Sequence, residues 1–172
     1  MMNPTRLSLD PPSGPVHRPD TDRLAEGIAA ARSSPRRRVV VPVQRSETAA
    51  VQRMLNVIQP DSYLRPHHHP RPQGVELVCV LQGQIGAFVF DDAGAVTDCF
   101  RLRPGPATGV LDIEPRVWHT FVALAPDTIV LEIKGGPYDR DLDKVFPDWA
   151  PAEGDPAAPA YQEALRRMLP LT

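Results

Sequence analysis

The feature that most constrains the fold is a succession of short apolar runs between Val39 and Lys134, separated by turn residues. The runs are rich in Val, Ile, Leu and Phe, and none sustains the 3.6-residue period of a helix. Their regular spacing is typical of an antiparallel sandwich or barrel. The sequence therefore predicts an all-β core, with strands near residues 39–43, 51–58, 63–69, 76–82, 84–90, 96–103, 109–113, 117–124 and 128–134.

The regions on either side of these runs have a different composition. Residues 1 to about 19 are rich in Pro, Ser and Asp, which predicts a mobile segment. The sequences TDRLAEGIAAAR and AYQEALRRML each place apolar residues at helical spacing. We therefore expect one domain with two tails: an N-terminal tail with a short helix over 1–34, a barrel over 35–150, and a C-terminal tail with a short helix over 151–172.

Charge and hydropathy narrow the function classes. The 172 residues carry a formal net charge of -2, so no excess of positive charge exists to neutralise the phosphates of a nucleic acid. The basic patch Arg36–Arg38 beside Pro35 is typical of a solvated entry into the first strand. No signal-peptide pattern and no run of about 18 apolar residues is present, which predicts a cytoplasmic protein that does not contact membranes.

Two apolar surfaces of the predicted structure would have to be buried against another part of the chain or against a partner. The apolar face of the C-terminal helix, formed by Tyr161, Leu165 and the pair Met168 and Leu169, would pack on the barrel or on a partner chain. The strand over 76–82 is apolar on both faces. Its outer face would be covered by the N-terminal strand or by a second subunit, and the latter would make the protein a homodimer.

The sequence PHHHP over residues 66–70 carries the main chemical signal. In an extended strand, residues two apart project to the same face, so His67 and His69 would point the same way and could chelate one ion. His68 would face the opposite side and is not predicted to be a ligand. On a helix the same spacing would separate the two rings.

Two further polar residues stand in apolar runs. Glu76 begins ELVCVLQG and His119 lies in VWHTFVAL, positions at which an ionisable side chain needs a partner. Taken singly, the histidines could be an exposed loop, Glu76 could pair with Arg65, and His119 could be a hydrogen-bonded core residue. Taken together, they predict a site for a divalent transition metal, with Zn, Fe, Mn, Ni and Co all allowed.

These residues resemble the motifs of the cupin superfamily. His67-x-His69 followed by Glu76 and Gly83 is similar to the first cupin motif, and Gly109, Pro115 and His119 resemble the second, although it is one residue short before the histidine and lacks its glycine and asparagine. The resemblance implies a double-stranded β-helix, or jelly-roll, barrel that holds the metal in its interior through His67, His69, Glu76 and His119.

A closer resemblance is to the WbuC-type cupin-fold metalloproteins, over roughly residues 35–153. At Val41–Arg45 the chain departs from the polar residues that this resemblance would imply, so no site role is assigned there. The matching segments are Arg36–Arg38, QRML at 52–55, SYLRPHHH at 62–69, WHT at 118–120, LEIKGGPY at 131–138 and WAPAE at 149–153.

Residues near the predicted metal are weaker candidates for a catalytic role. Tyr63 and Arg65 share the parity of His67 and His69, and either could meet an anionic substrate. Glu132 and Lys134 share one face of LEIK and could point into the barrel, or could form a salt bridge at its rim. Arg53 is a charged residue in a mostly apolar strand. The candidate catalytic residues are therefore Tyr63, Arg65, Arg53 and Lys134.

Two functions remain open from the sequence. One is a metal-dependent enzyme acting on a small polar molecule; that this molecule is sugar-like is implied by the association of WbuC-type proteins with polysaccharide biosynthesis alone. The other is a non-catalytic cupin that binds a metal or a small ligand. The fold does not decide between them, because cupins carry out many reactions.

Overall fold

The computed structural model describes residues 7–170, which form two antiparallel sheets packed as a jelly-roll β-sandwich. The larger sheet has the order β1-β2-β8-β3-β6 and the smaller one β5-β4-β7. The predicted all-β jelly roll with short terminal helices is confirmed. The elements are α1 Thr21–Ser33, β1 Arg38–Pro42, β2 Val51–Ile58, β3 Glu76–Gln82, β4 Ile85–Phe90, β5 Val96–Leu102, β6 Val110–Ile113, β7 Trp118–Ala123, β8 Thr128–Gly135, α2 Arg140–Asp143 and α3 Ala158–Met168.

The predicted strand over 63–69 is wrong. This segment joins β2 to β3 and makes only isolated bridges, from His67 to His119 and from His68 to Val145. Pro66 and Pro70 flank the histidines and lack the backbone N–H that a regular ladder requires. The segment is extended enough to pair locally but does not join either sheet as a strand.

The prediction of a mobile segment over residues 1–19 also needs correction. Residues 1–6 lie outside the described residues, but Leu9 is buried at 3% exposure. Its N–H donates to the carbonyl of Val40 at 2.8 Å, and the N–H of Val40 donates to the carbonyl of Leu7 at 3.0 Å. An apolar side chain in a polar segment thus lies against the apolar cluster between α1 and the larger sheet.

Turn chemistry agrees with the sequence in the hairpin that joins β4 to β5. Gly94 has φ 87°, a left-handed value that favours glycine, and the N–H of Asp91 donates to the carbonyl of Ala95 at 3.0 Å. Gly83, between β3 and β4, also has a positive φ, of 76°. A Cβ at Gly83 would overlap with Oγ1 of Thr128, so the turn excludes any larger residue.

The C-terminal helix covers the barrel rather than leaving its apolar face for a partner. Leu165 of α3 and Leu169 just after it are buried against Phe88, Phe90 and Val122 of the smaller sheet. Met168, predicted to belong to the same face, is instead 54% exposed. No helix within residues 7–170 has the length and apolar composition needed to cross a membrane.

The outer face of β3 is only partly covered. In β3, Leu77 and Cys79 are half-buried, whereas Leu81 is 49% exposed. Val110, in the neighbouring strand β6, is also 49% exposed. The N-terminal strand does not cover this face, because β1 lies at the opposite edge of the sheet. The homodimer stays a prediction.

The inner face of the larger sheet changes character along its strands. At one end it is apolar, with Ile58, Val80 and Val130 packed in the core. At the other end the register places Glu76 opposite Lys134 and Lys134 opposite Gln52, so polar side chains share the inner face. This polar end of the barrel holds the candidate site.

Candidate metal centre

Three different chain segments meet at the polar end. His67 and His69 lie on the irregular connection before β3, Glu76 is the first residue of β3, and His119 is the second residue of β7. A pair of backbone hydrogen bonds ties the segments together: the N–H of His67 donates to the carbonyl of His119 at 3.0 Å, and that of His119 to the carbonyl of His67 at 2.9 Å. This backbone pairing therefore fixes the position of His67 beside His119, which the predicted strand was expected to do.

The four side chains form one compact cluster, here called the metal cluster: His67, His69, Glu76 and His119. One ligand atom from each lies within 4.8 Å of those of the other three. All four residues are buried, none above 4% exposed. The structure thus brings together the four residues that the sequence predicts as ligands.

The hydrogen bonds of the three imidazoles define their tautomers. Nδ1 of His67, His69 and His119 contacts the backbone carbonyls of Arg65 at 3.1 Å, Asp143 at 2.6 Å and Val117 at 2.8 Å. A carbonyl only accepts, so each Nδ1 is a donor and, in a neutral ring, each Nε2 keeps its lone pair.

Those Nε2 atoms have no donor to satisfy them. Within residues 7–170, Nε2 of His67 and Nε2 of His119 are buried without a hydrogen-bond partner. Nε2 of His69 lies 2.7 Å from Oε2 of Glu76, and Nε2 of His119 lies 3.3 Å from the same oxygen. Acceptors this close are stable only if they share a proton or a metal ion, so the donor set fits a divalent cation.

The environment keeps the ligands in the form that binds a cation. Burial, followed by the charge of Lys144, lowers the pKa of His67 well below its usual range, so its ring stays neutral. Burial alone would raise the pKa of Glu76. When His119 or His69 shares a proton with it through Nε2, these contacts outweigh that effect and hold the pKa of Glu76 well below its ordinary value, so the carboxylate is ionised.

His68 plays a different part from its neighbours. Its ring packs edge-on against Trp118 with 4.2 Å between centroids, and its backbone pairs with Val145. It is not among the residues that could hold a metal ion. The ring of His68 thus packs on Trp118 and does not join the metal cluster, and the backbone there is not a strand.

A cavity of about 1080 Å³ opens beside the metal cluster. His67 lines it, together with polar residues on the inner face of the larger sheet and residues of the segment after β8. A volume of this size accommodates a small organic molecule with room for water. The polar part of the wall includes Asn56, Arg65, Glu132, Lys134, Asp143 and Lys144.

Next to the metal cluster lies a second group, here called the lysine cluster: Asn56, Glu132, Lys134 and Asp143. Nζ of Lys134 lies 2.7 Å and 3.0 Å from the two carboxylate oxygens of Asp143 and 3.6 Å from Oε1 of Glu132. Nδ2 of Asn56 donates to Oε2 of Glu132 at 2.6 Å. Lys134 is only 6% exposed, so the pair predicted on one face of β8 points into the barrel and is not a rim salt bridge.

Ionisation differs within the lysine cluster. Burial, with a further contribution from the charge of Glu76, raises the pKa of Glu132. For Lys134, burial acts to lower the pKa, but the carboxylates of Glu132 and Asp143 outweigh it and raise the pKa. Lys134 is therefore a fixed cation, whereas Glu132 is a carboxyl group that can exchange a proton closer to neutral pH.

The remaining candidates from the sequence are placed differently. Arg65 lines the cavity. The hydroxyl of Tyr63 donates to the carbonyl of Pro151 at 2.9 Å, and its ring contacts Tyr161, away from the cavity wall. Arg53 is exposed, on the opposite face of β2 from Gln52. Catalytic roles for Tyr63 and Arg53 have no support from this placement and stay predictions.

Sequence reasoning missed Asn56, Asp143 and Lys144. The last two lie in the segment after Gly135-Gly136-Pro137, which shows no strand or helix period. That segment folds back over the polar end of the barrel, where the carbonyl of Asp143 accepts a hydrogen bond from His69. The only available signal was the run of charged residues DRDLDK over 139–144.

The similarities of this chain to known proteins are distant and do not bear on the chemistry of the site. A family described as a domain of unknown function (DUF6016) matches residues 19–102. No curated protein matches the chain.

Similar solved structures include two oxalate decarboxylases. One, from Lactobacillus farciminis in complex with formate, is 19% identical with a TM-score of 0.47, and the match covers 63% of this chain and 30% of that one. A variant of the Bacillus subtilis enzyme is 13% identical with a TM-score of 0.49, over 63% of this chain and 27% of that one. Peruvianin-I, a cysteine peptidase from Thevetia peruviana latex, is 16% identical with a TM-score of 0.44, over 56% of this chain and 55% of that one. The chain thus spans less than a third of the length of either decarboxylase, and likenesses this distant say nothing about the reaction.

Proposed function

We propose that the protein is a metal-binding cupin that holds one divalent transition metal through His67, His69, Glu76 and His119. The observation that carries this proposal is the convergence of three buried Nε2 atoms, each with its Nδ1 directed at a carbonyl, on a single carboxylate. Three neutral imidazoles and one carboxylate suit Zn, Fe, Mn, Ni or Co better than the hard cations, which prefer oxygen ligands.

We further propose that the site is that of an enzyme acting on a small polar molecule. Four protein ligands leave room on a five- or six-coordinate ion, and the cavity gives a ligand access beside His67. A metal ion of this kind supplies Lewis acidity when bound. That the substrate is sugar-like is supported by the resemblance to WbuC-type proteins.

The chain's own contribution to such a reaction would come from Glu132. Its carboxyl group lines the cavity, is oriented by Asn56 and Lys134, and has a raised pKa. A carboxyl group in this state can give a proton to a bound molecule or accept one from it. Lys134 would act as a positioning residue, because its ammonium group is already bound by Asp143.

Metal content is the first test. Elemental analysis of the purified protein, with anomalous scattering to locate the ion, should give about one transition metal per chain at the metal cluster. His67→Ala should lose that metal, whereas the matched control His68→Ala should keep it, because the neighbouring ring packs on Trp118 instead. Failure of the wild-type protein to bind any of the five metals after reconstitution would refute the proposal.

Turnover is the second test. The metal-loaded protein should convert a member of a panel of sugar nucleotides, sugar acids and oxygenase substrates, and Glu132→Gln should lower kcat while leaving the metal content unchanged. Stoichiometric metal without any turnover across the panel would instead favour a non-catalytic binding module.

A further inference from the structure

We propose that the cavity beside the metal cluster binds an anionic group, a carboxylate or phosphate carried by a small polar molecule, through the side chains of Lys144 and Arg65. This inference rests on the proposed function in that it names the chemical class of ligand for the same site. It is carried by two cations on the cavity wall that have no carboxylate partner, and by the charge of the cavity as a whole.

Lys144 is a cation without a partner. It follows α2 and lines the cavity, and within residues 7–170 its ammonium group makes no hydrogen bond or ion pair. The nearby carboxylates are engaged, since Asp143 binds Lys134 and Glu132 binds Asn56. Lys144 is half-buried, so its charge is only partly hydrated and has no counterion, which is expected of a binding site before its ligand arrives.

The position of Lys144 relative to the metal cluster supports the same inference. Val145, the residue after Lys144, pairs with His68, the residue after His67, and both Lys144 and His67 line the cavity. An anion held by Lys144 would therefore lie beside His67 and would offset the repulsion that Lys144 now exerts on its surroundings.

Arg65 offers a second set of donors on the same wall. Its Nη2 donates to the carbonyl of Pro147, and its guanidinium lies 5.3 Å from the centre of the Phe146 ring. Its Nε is buried and has no hydrogen-bond partner within residues 7–170. A guanidinium held in this way by a carbonyl and a ring has a fixed plane, and its remaining N–H donors are suited to an oxyanion.

The cavity is more basic than the protein that surrounds it. The whole chain has a net charge of -2. The cavity wall, in contrast, has six basic side chains, Arg36, Arg38, Arg65, Lys134, Arg140 and Lys144, against four acidic ones, Glu47, Glu132, Asp143 and Glu153. A divalent ion balanced by Glu76 alone would add to this excess, so the field inside the cavity favours an anion.

The rest of the wall fits a molecule larger than the anion itself. A cavity of about 1080 Å³ greatly exceeds the volume of one carboxylate or phosphate. Beyond the charged groups the wall includes Gln52, Met54, Phe121 and Val130, which offer hydrogen bonds and apolar contact in turn. The expected ligand is a small polar molecule whose anionic end lies between Lys144, Arg65 and the metal cluster.

The test is calorimetric titration of the metal-loaded protein with inorganic phosphate, with malonate as a dicarboxylate, and with glucose as a neutral control. We expect one or both anions to bind, and Lys144→Met and Arg65→Gln each to weaken that binding about 10-fold or more. Binding of phosphate alone would identify the ligand's anionic group as a phosphate, and binding of malonate alone would identify it as a carboxylate. The matched control Arg167→Gln, which removes an arginine of α3 that is 77% exposed and does not line the cavity, should leave the affinity unchanged.

Folding and metal loading are measured on the same samples. Lys144→Met should unfold at the same or a higher temperature than the wild-type protein without added anion, because it removes an unpaired cation. The inference is overturned if neither anion binds the metal-loaded wild type, or if both variants bind as tightly as it does. Elemental analysis separates the two proposals: metal without anion binding refutes this inference alone, whereas anion binding that depends on Lys144 in a protein unable to hold metal refutes the proposed function alone.

Discussion

The metal cluster and the lysine cluster lie side by side at the polar end of one barrel, yet their hydrogen bonding is opposite. In the metal cluster, buried acceptors face each other, and two Nε2 atoms find no hydrogen-bond partner in the part of the chain that the structure describes. In the lysine cluster, the buried cation Lys134 contacts two carboxylates, and one of these accepts from Asn56. The first arrangement requires a cation to join its acceptors, whereas the second is built around one.

This difference in hydrogen bonding distinguishes buried polar groups that bind a ligand from those that stabilise the fold around it. A polar cluster that is satisfied internally needs nothing further and can hold its neighbours in place. A cluster of acceptors alone is stable only when something positive joins it. Asp143 connects the two, because its side chain binds Lys134 while its carbonyl fixes the tautomer of His69.

The largest effect is expected from removing the one charged ligand. Glu76→Gln keeps the shape of the side chain but removes its charge from a site of neutral imidazoles, so metal affinity should fall on the order of 100-fold or more. Competition with a chromophoric chelator measures it. Glu114→Gln, at an exposed position, is the matched control. An affinity equal to that of the wild type would mean that Glu76 is not a ligand.

The next effect is on stability, in the lysine cluster. Asp143→Ala leaves Lys134 buried with only the more distant Glu132, and should lower the free energy of unfolding by about 3 kcal/mol. Urea denaturation measures this, with Asp141→Ala in the same short helix as control. Metal affinity should change far less, since the carbonyl of Asp143, not its carboxylate, binds His69.

A double variant shows whether charge is the cause. Adding Lys134→Met to Asp143→Ala removes the unpaired cation and should recover part of the lost stability. The contrary result is a double variant that is less stable than Asp143→Ala by as much as Lys134→Met alone destabilises the wild type. That result would show that Lys134 is stabilised by contacts other than this ion pair.

The two clusters should also respond to pH in opposite directions. In the metal-free protein the lowered pKa of His67 contributes stability that is complete above its ordinary pKa of about 6.5 and is lost as pH falls below that value. The loss should be at most about 1.4 kcal/mol per pH unit for this one proton. The raised pKa of Glu132 acts the other way, since its contribution is complete at low pH and is lost as pH rises through the raised pKa.

His67→Asn separates these contributions. The difference in unfolding free energy between the metal-free wild type and this variant should shrink as pH falls from about 7 to about 5, because the variant has no imidazole to protonate at this position. Chemical denaturation at several pH values gives the curve. A difference that stays constant over this range would show that the ring of His67 is not held neutral by the fold.

The metal cluster could be predicted from sequence for a physical reason. His67, His69, Glu76 and His119 are polar residues beside or within apolar runs, and such positions are conspicuous because burial there requires a partner. The predicted strand through the histidines was nevertheless wrong. Flanking prolines prevented regular pairing, and the two-residue backbone bridge to His119 aligned the rings instead.

The lysine cluster could be predicted only in part. The alternation along β8 placed Glu132 and Lys134 on one face, but it did not show what they would meet. Asp143 lies nine residues after Lys134, in a segment whose path depends on turns after Gly135 and on contacts with the connection that holds the histidines. Hydrophobic periodicity cannot predict the path of such a segment, because its side chains do not alternate regularly between a buried and an exposed face.

The smallest effect concerns the hydrogen bond between Asn56 and Glu132. Asn56→Ala removes the donor 2.6 Å from Oε2 of Glu132 and should cost about 1 kcal/mol of unfolding free energy where that carboxyl group is protonated. The cost should be larger at about pH 8, where the carboxyl group is more ionised, because a hydrogen bond to a charged acceptor is stronger. Urea denaturation of the variant and the wild type at about pH 5 and about pH 8 gives both values. An equal cost at the two pH values would mean that Glu132 does not change its ionisation between them, and would remove it as the group that exchanges a proton beside the metal cluster.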